Sequence, residues 1–174
     1  MNIEITRIYL RHIVPDFKDF YRATVDNRAR LEPWFWWTNI NKLGKFYFLC
    51  SDAIFYKMSK LVHDLPCNRK FIIRVDGKFA GIVGLDGIYV GAPKPEIWMF
   101  LTKDFESRGI ATHAVKWAVD YATKMNCEKL CARTMWENPR ARIPLFSNDF
   151  EIHECNYGAN AHELLWRKML NKSY

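Results

Sequence analysis

A single stretch near the middle of the chain constrains its fold more than any other. Residues 95–101, PEIWMFL, form an apolar run of strand length, and the later VKWAVDYATKM carries the apolar spacing of an amphipathic helix. The connecting TKDFESRGIATHA contains Gly109 and Ala111, which have no bulky side chain to cover the backbone. The pattern predicts a strand that passes, through a turn with uncovered backbone, into a helix over 109–125.

The turn at Gly109 is suited to binding an anion. The first N–H groups of a helix have no intrahelical partner, and the helix dipole places roughly half a positive charge there. Glycine and alanine let a ligand approach this backbone closely, and Arg108 adds a side-chain donor. The sequence therefore predicts a phosphate or pyrophosphate site, although a plain strand-to-helix turn with glycine for conformational relief has the same pattern.

The remaining segments place this unit in a mixed domain. Alternation in IEITRIYLRHI predicts a first strand, and helices are predicted over 15–31 and 43–58. A β-hairpin is predicted over 70–88, with its turn at Asp76–Gly77. Further strands are predicted at 95–101, 128–135, 150–156 and 163–170, with a short helix from Asn138.

These elements predict one domain over 1–174 of the α+β (mixed α/β) class with three layers. A doubly wound nucleotide fold is disfavoured, because the hairpin breaks strict βα alternation and the dinucleotide fingerprint and P-loop are absent. In the second helix, the apolar spacing predicts one packed face made of Leu43, Phe46, Tyr47, Cys50, Ile54 and Met58.

Composition narrows the class of protein further. The 174 residues are 49% hydrophobic and 26% charged, as is ordinary for a soluble globular chain. No apolar stretch reaches the ~18 residues of a membrane helix, and the N-terminus lacks the profile of a signal peptide. Five cysteines do not suggest a disulfide framework, and Cys127 and Cys131, on one predicted strand, are too far apart to share a disulfide or a metal. We expect a cytoplasmic protein without a metal or a membrane partner.

The net charge of +7 favours anionic partners. The basic residues are scattered, and the runs NRAR (27–30) and NPRAR (138–142) are short, so a solvated surface explains them equally well. Nucleic acid, a phosphorylated cofactor and an acidic protein all remain open as partners, although no motif supports nucleic acid.

Three segments, in order, resemble the GNAT acetyltransferase superfamily. ESRGIA at 106–111 is similar to its acyl-CoA signature, which reads Gln or Arg, two residues, Gly, one residue, Gly or Ala. NPRARIPLFSNDF keeps the spacing of the family's Asn…(Ala/Ser)…Gly-Phe segment, and VDNRARLEPWFWW resembles an early segment of the ribosomal-protein N-terminal acetyltransferase (RimJ/RimL-like) branch. The resemblance implies a mixed sheet of about seven strands flanked by helices and splayed between the fourth and fifth strands.

The resemblance also implies an acetyl-CoA site. In the family the pantetheine arm pairs with the splayed strand, a backbone N–H faces the thioester oxygen, and the loop amides hold the pyrophosphate. The residues at the corresponding positions are Phe100, Leu101, Thr102, Ser107, Arg108, Gly109, Ile110, Ala111 and Thr112, with Asn138 reaching the same arm. Asn138, followed by Pro139, is equally typical of a helix N-cap, and one residue can serve both roles.

The family transfers the acetyl group by direct attack of an amine in a ternary complex, without an acyl-enzyme. Glu96, at the start of the strand, is our candidate for the base, and Asp86 is a second. Both residue types are also common as solvated strand-start or turn residues. Trp34 and Trp37, in EPWFWW, are predicted to line the acceptor pocket, or else to close an edge of the core.

Several positions depart from the family pattern. Glu106 replaces the usual Gln or Arg and sets a carboxylate beside the predicted phosphate site, so it must point away or weaken donor binding. Asp149 replaces the Gly of Gly-Phe, and the backbone there is expected to differ. Ala141 and Leu145 stand where relatives carry Ser and Tyr, so the usual general acid is missing.

The sequence thus predicts an acetyl-CoA-dependent N-acetyltransferase acting on a primary amine, as a monomer or homodimer. An acidic protein or peptide α-amine is favoured over a polyamine, which a chain of net charge +7 would repel. Two alternatives stay open: a non-catalytic acyl-CoA-binding domain, and an acetyltransferase acting on charged tRNA.

Overall fold

The structure is a computed structural model that describes residues 1–8, 13–59, 67–155 and 162–170. The strands of this part are β1 (Ile3–Arg7), β2 (Cys67–Val75), β3 (Lys78–Ile88), β4 (Glu96–Leu101), β5 (Lys129–Met135), β6 (Glu151–Cys155) and β7 (Glu163–Met169). The α-helices are α1 (Ile13–Asp26), α2 (Arg28–Leu31), α3 (Lys42–Ser59), α4 (Ile110–Lys124) and α5 (Pro139–Phe146). Short 3-10 helices lie at Trp36–Asn39 and Lys103–Phe105.

The seven strands form one mixed sheet in the order β1-β2-β3-β4-β5-β7-β6. Strands β4 and β5 run parallel, joined through α4, and the other neighbouring strands are antiparallel. Between β4 and β5 only Glu96↔Cys131 and Ile97↔Ala132 are registered, so the two strands separate beyond Ile97. The predicted fold class is confirmed, including the splay between the fourth and fifth strands.

Apolar side chains bury both faces of the sheet, which gives the predicted three layers. One core lies on the side of α4 and α5 and includes Val83, Ile97, Ile110, Leu130 and Leu145. The other lies on the side of α1 and α3 and includes Phe20, Trp37, Leu49, Ile72 and Phe100. Neighbouring strand residues alternate between the two cores because successive side chains of a strand point to opposite faces.

The predicted hairpin joins β2 and β3. Asp76 and Gly77 have φ values of 49° and 77°, and Val75 pairs with Lys78 across the turn. Positive φ at both central residues is the requirement of a type I′ turn, which Asp-Gly satisfies. Strand-length alternation and a local turn signal were sufficient to predict this unit correctly.

The predicted helix over 15–31 is wrong as a continuous element, because it breaks at Asn27. The Asn27 side chain donates to the Ala23 carbonyl at 2.9 Å and accepts the Lys103 backbone N–H at 3.0 Å. Helix α1 ends before this residue, and the one-turn helix α2 follows it. A contact with a distant segment therefore ends the helix.

The predicted packed face of α3 is wrong in its first half. Leu43 and Tyr47 are 61% and 59% exposed, whereas Leu49 and Cys50 are buried. Lys45 is buried as well, and its Nζ donates to the carbonyls of Thr38 and Ile40 at 2.8 Å and 2.6 Å. These two hydrogen bonds turn a charged residue inward and rotate the apolar face. The predicted face members Ile54 and Met58 lie outside the side chains that the structure describes.

Cys127 lies before β5 rather than on it, and its backbone N–H bonds the Ala122 carbonyl at 3.1 Å. The prediction that it shares a strand with Cys131 is therefore wrong. Among the side chains that the structure describes, Cys50, Cys127, Cys131 and Cys155 are free thiols. Over the same described ranges no helix is long and apolar enough to span a membrane.

Candidate functional site

The turn before α4 has the geometry of an anion site. Gly109 is the N-cap residue with φ +75°, and no side chain caps the helix. A Cβ built on Gly109 would meet no atom within 4 Å, so the space beside it is open. Ser107, Arg108 and Gly109 are exposed, while Ile110 is buried and anchors the helix. The first amides of α4 are thus presented without side-chain cover, which fits a pyrophosphate group.

The backbone of β4 offers amides to the splay at alternate residues. The Thr102 N–H bonds the Ala80 carbonyl of β3 at 2.8 Å. Because the amides of an antiparallel strand alternate in direction, that of Phe100 also points to β3, and those of Met99 and Leu101 point to the splay. Of the positions Phe100 to Thr102, around which the backbone N–H for the thioester was predicted, Leu101 is the one whose amide points to the splay; the binding roles of these residues stay predictions. Met99 was missed, because the sequence does not show which amides the neighbouring strand uses.

Glu106 is held between two arginines. The Arg30 guanidinium donates to one carboxylate oxygen, and Arg140 donates to the other at 3.1 Å. Arg30 also donates to the Leu101 carbonyl and, at 3.2 Å, to Asn27 Oδ1. The two arginines therefore neutralise the Glu106 carboxylate beside the turn. The sequence predicted that Glu106 either points away from the phosphate site or weakens acetyl-CoA binding, and did not include this pairing. Arg30 and Arg140 come from the two short basic runs, whose pattern left both a solvated surface and an anionic partner open.

The residues after β5 follow the family spacing with local adjustments. Asn138 caps α5, and its side-chain oxygen accepts the Ala141 N–H at 3.3 Å. Its predicted reach to the donor arm stays a prediction. Leu145 is 4% exposed and packs in the core. Asp149 has φ +58°, in the left-handed region that glycine favours, so a residue other than glycine adopts that conformation here.

Two carboxylates face each other where β4 begins. Glu96 is the direct partner of Asp86 on β3 and of Cys131 on β5. Arg133 Nε donates to Glu96 Oε1 at 2.7 Å. Burial raises the pKa of Asp86 above its usual range, against smaller opposing effects of the Trp98 side chain and of the Lys70 and Arg133 charges. Both predicted base candidates therefore lie together, one residue before the last registered pair of β4 and β5.

The two tryptophans predicted to line an acceptor pocket differ in exposure. Trp37 is 3% exposed, with its ring 5.0 Å from Phe48 and 5.5 Å from Phe100, centre to centre. Its indole presents almost no surface to a substrate, so Trp37 is a core residue. Trp34 is 37% exposed and remains the predicted acceptor contact.

A groove starts beside Glu96 and crosses the other half of the sheet. It is lined by side chains of β5, β6 and β7 together with Lys94, namely Lys94, Lys129, Cys131, His153, Glu154, Leu165 and Arg167. Burial raises the pKa of Cys131, and the charges of Lys94, Lys129 and Arg167 oppose that rise, which places these cations around the same thiol. Three cations and one carboxylate give the groove an excess of positive charge.

The splayed sheet and the uncovered turn define the fold of an acyl-CoA-dependent acetyltransferase. The family model described as "Acetyltransferase (GNAT) domain" matches residues 7–145. The chain therefore belongs to the GNAT acetyltransferase family. Within the described part of the chain, no group of three His, Cys, Asp or Glu residues could hold a metal ion.

Solved structures share the fold at low sequence identity. RimL, a ribosomal L7/L12 alpha-N-protein acetyltransferase in complex with coenzyme A, superposes with TM-score 0.81 at 13% identity, over 99% of this chain and 97% of that one. RimJ of Mycobacterium smegmatis gives TM-score 0.75 at 19% identity, over 96% and 81% of the two chains.

A curated relative is more similar in sequence but over a shorter length. Spermidine N(1)-acetyltransferase of Escherichia coli (strain K12) is 34% identical over 83 residues, which is 47% of this chain and 44% of the relative. The match thus spans less than half of that relative's length, and its substrate stays a property of the relative.

Proposed function

We propose that this protein is an acetyl-CoA-dependent N-acetyltransferase whose acceptor is the α-amine of an acidic peptide or protein. The observation that carries the acceptor class is the cationic groove, which starts at Cys131, the strand partner of Glu96. An acceptor chain whose amine lies at the two carboxylates would extend its next residues along Lys129 and Arg167. Like-charge repulsion disfavours a basic chain there.

The donor site follows from the uncovered backbone. The amides of Ile110, Ala111 and Thr112, with Ser107, Arg108 and Gly109, would hold the pyrophosphate of acetyl-CoA. The open edge of β4, with the amides of Leu101 and Met99, would pair with the pantetheine arm, and Asn138 would contact the same arm. Acetyl-CoA supplies the activated acetyl group. An amide that points to the splay would stabilise the negative charge that develops on the thioester oxygen.

The chemistry requires a base for the amine. An α-amine has a pKa of about 8 and loses a proton at neutral pH more readily than a lysine side chain, with a pKa of about 10.4. Glu96 and Asp86 both lie beside the splay and are available for this proton transfer. Direct attack needs no nucleophilic side chain, so no acyl-enzyme forms.

Spermidine is a second candidate acceptor, favoured by the 34% identity to spermidine N(1)-acetyltransferase. A polyamine carries several positive charges and would meet Lys94, Lys129 and Arg167 beyond the two carboxylates. The charge of the groove therefore argues for an anionic acceptor chain. The shared segment covers 47% of this chain, so the identity to this relative does not extend over the whole domain.

The test is an acceptor panel followed by release of the CoA thiol. We expect turnover with peptides that have a free N-terminus and acidic residues after it, and little with spermidine or N-terminally blocked peptides. Arg167→Glu should raise KM for the acidic peptide at least fivefold, and higher salt should reduce that difference. Lys116→Glu, an exposed charge reversal on α4, is the matched control and should leave KM unchanged. Turnover of spermidine but of no free-N-terminus peptide would exclude this acceptor class.

A further inference from the structure

Asp86 on β3 has close neighbours on the adjacent strand β4. It pairs directly with Glu96 on β4, a hydrogen-bonded pair in which the two Cα atoms lie about 5.5 Å apart. Two residues before it, Gly84 pairs with Trp98, and a Cβ on Gly84 would lie 2.1 Å from the indole atom Cε2 and 2.4 Å from Nε1. The absence of a side chain at Gly84 therefore lets the indole lie flat across β3, with its N–H edge next to Asp86.

We infer that Asp86, rather than Glu96, takes the proton from the acceptor amine. The inference rests on the proposed function and names the base within it. Both carboxylates lie on the same face of the sheet, one residue before Ile97↔Ala132, the last registered pair of β4 and β5. An amine held beside them is close to the edge of β4 that opens beyond Ile97, where the thioester is expected.

The partners of the two carboxylates separate their roles. Glu96 accepts a hydrogen bond from Arg133 Nε at 2.7 Å, and this ion pair engages Oε1 with the guanidinium rather than with an acceptor amine. Asp86 has no such paired cation in the ion pairs of the described residues, and burial raises its pKa toward that of a useful base. The charged groups that face it in the described part of the chain are Glu96 from β4, Arg133 from β5 and Lys70 from β2.

Acetyl transfer begins with the proton of the acceptor amine. The Asp86 carboxylate takes one proton from the ammonium of the acceptor, which leaves a neutral amine with a free electron pair. The amine nitrogen forms a bond to the thioester carbonyl carbon, the carbon–sulfur bond breaks, and CoA leaves as the thiolate. The nitrogen's second proton passes to the thiolate, giving the amide and the CoA thiol, and Asp86 returns its proton to water. Glu96 and Arg133 act as positioning residues.

The test compares Asp86→Asn, Glu96→Gln and Asp86→Glu through the pH dependence of kcat. Wild-type kcat should fall as pH drops through the pKa of Asp86 in the complex. Asp86→Asn should lower kcat by about 10²- to 10⁴-fold and remove this acidic limb. Glu96→Gln should keep the limb and chiefly raise KM, and Asp86→Glu should restore the limb at reduced kcat. Asp120→Asn, on the exposed face of α4, is the control.

The melting temperature is a second readout. If Asp86 had a structural role, its replacement would lower the melting temperature, whereas loss of a buried base would not. Because the pKa of Asp86 is raised in the folded state, its ionisation destabilises the fold as pH rises above the unfolded value near ~3.9. The melting temperature of Asp86→Asn should therefore be at least that of wild type at pH 7. Any excess of its melting temperature over wild type should vanish at pH 4. Acetyl-CoA binding should be unchanged.

Three results would overturn the inference. An acidic limb retained in Asp86→Asn and lost in Glu96→Gln would make Glu96 the base and leave the proposed function standing. A lower melting temperature of Asp86→Asn at pH 7, with a parallel loss of acetyl-CoA binding, would make Asp86 a structural residue. Wild-type protein that binds acetyl-CoA but transfers acetyl to no amine would remove the proposed function together with its base.

Discussion

Replacing Glu106 with Gln tests the energetic contribution of its ion pairs with Arg30 and Arg140, beside the turn that precedes α4. The Glu106 side chain is 22% exposed, Arg30 is 32% exposed and Arg140 is 77% exposed. The exposed bond to Arg140 contributes about 0–1 kcal/mol. Breaking a buried pair costs about 3–5 kcal/mol, but partial exposure and the remaining amide oxygen reduce this to about 1–2 kcal/mol for Arg30. The sum, about 2 kcal/mol, lowers the melting temperature of a domain of this size by about 4–8 °C.

The same change should strengthen donor binding. It removes a negative charge near the first turn of α4 and releases Arg140 toward the donor phosphates. A gain of about 1 kcal/mol corresponds to a Kd about fivefold lower at low salt, and the gain should shrink as salt rises. Calorimetric titration with acetyl-CoA at two salt concentrations, beside melting of the free protein, measures both effects.

The matched control for Glu106→Gln is Asp104→Asn. Asp104 is exposed in the adjacent 3-10 helix and carries the same charge without contacting Arg30. It should change donor binding slightly and leave the melting temperature within about 1 °C, as expected for a surface substitution. If Glu106→Gln melts like wild type, or if both variants behave alike, the reasoning from the paired arginines is refuted.

Substitutions at two further positions probe the turn and the segment before α3. Gly109→Ala should lower the free energy of unfolding by about 1 kcal/mol, because residue 109 has a φ of +75°, and it should weaken acetyl-CoA binding. Gly109→Val should weaken acetyl-CoA binding at least tenfold. Equal acetyl-CoA affinity of wild type and both variants in a calorimetric titration would contradict the anion site. Lys45→Met should lower the free energy of unfolding, measured in urea, by about 2 kcal/mol, because the carbonyls of Thr38 and Ile40 lose the ammonium as a donor. An unchanged urea midpoint would show that water replaces the ammonium.

Much of the fold could be predicted from the sequence because its signals are local. The Asp76–Gly77 turn, the N-cap at Asn138 and the glycine before α4 each act within a few residues. Period-two and period-3.6 apolar spacing then placed the strands and helices to within a few residues. These features agree with the structure because no distant contact opposes them.

The incorrect predictions involve hydrogen bonds that apolar spacing does not encode, some within a few residues and others between segments far apart in the chain. The break at Asn27 depends on the Lys103 amide, and the inward turn of Lys45 depends on two carbonyls of the preceding segment. The neutralisation of Glu106 needs arginines from two other elements. Apolar spacing carries no information on such pairings, and a charged residue is assigned to the surface by default.

The seam between β4 and β5 has a consequence for the energetics of ligand entry. Its two registered pairs link strands that are separated in the chain by the whole of α4. Few ladder hydrogen bonds therefore offset the entropy lost when the chain between β4 and β5 is closed into a loop. Helix α4 packs on both halves of the sheet and keeps them in place without further pairing. A chain-like ligand can therefore enter the gap without breaking a ladder that already exists. Its main penalty is the displacement of water from amides that the fold has left unpaired.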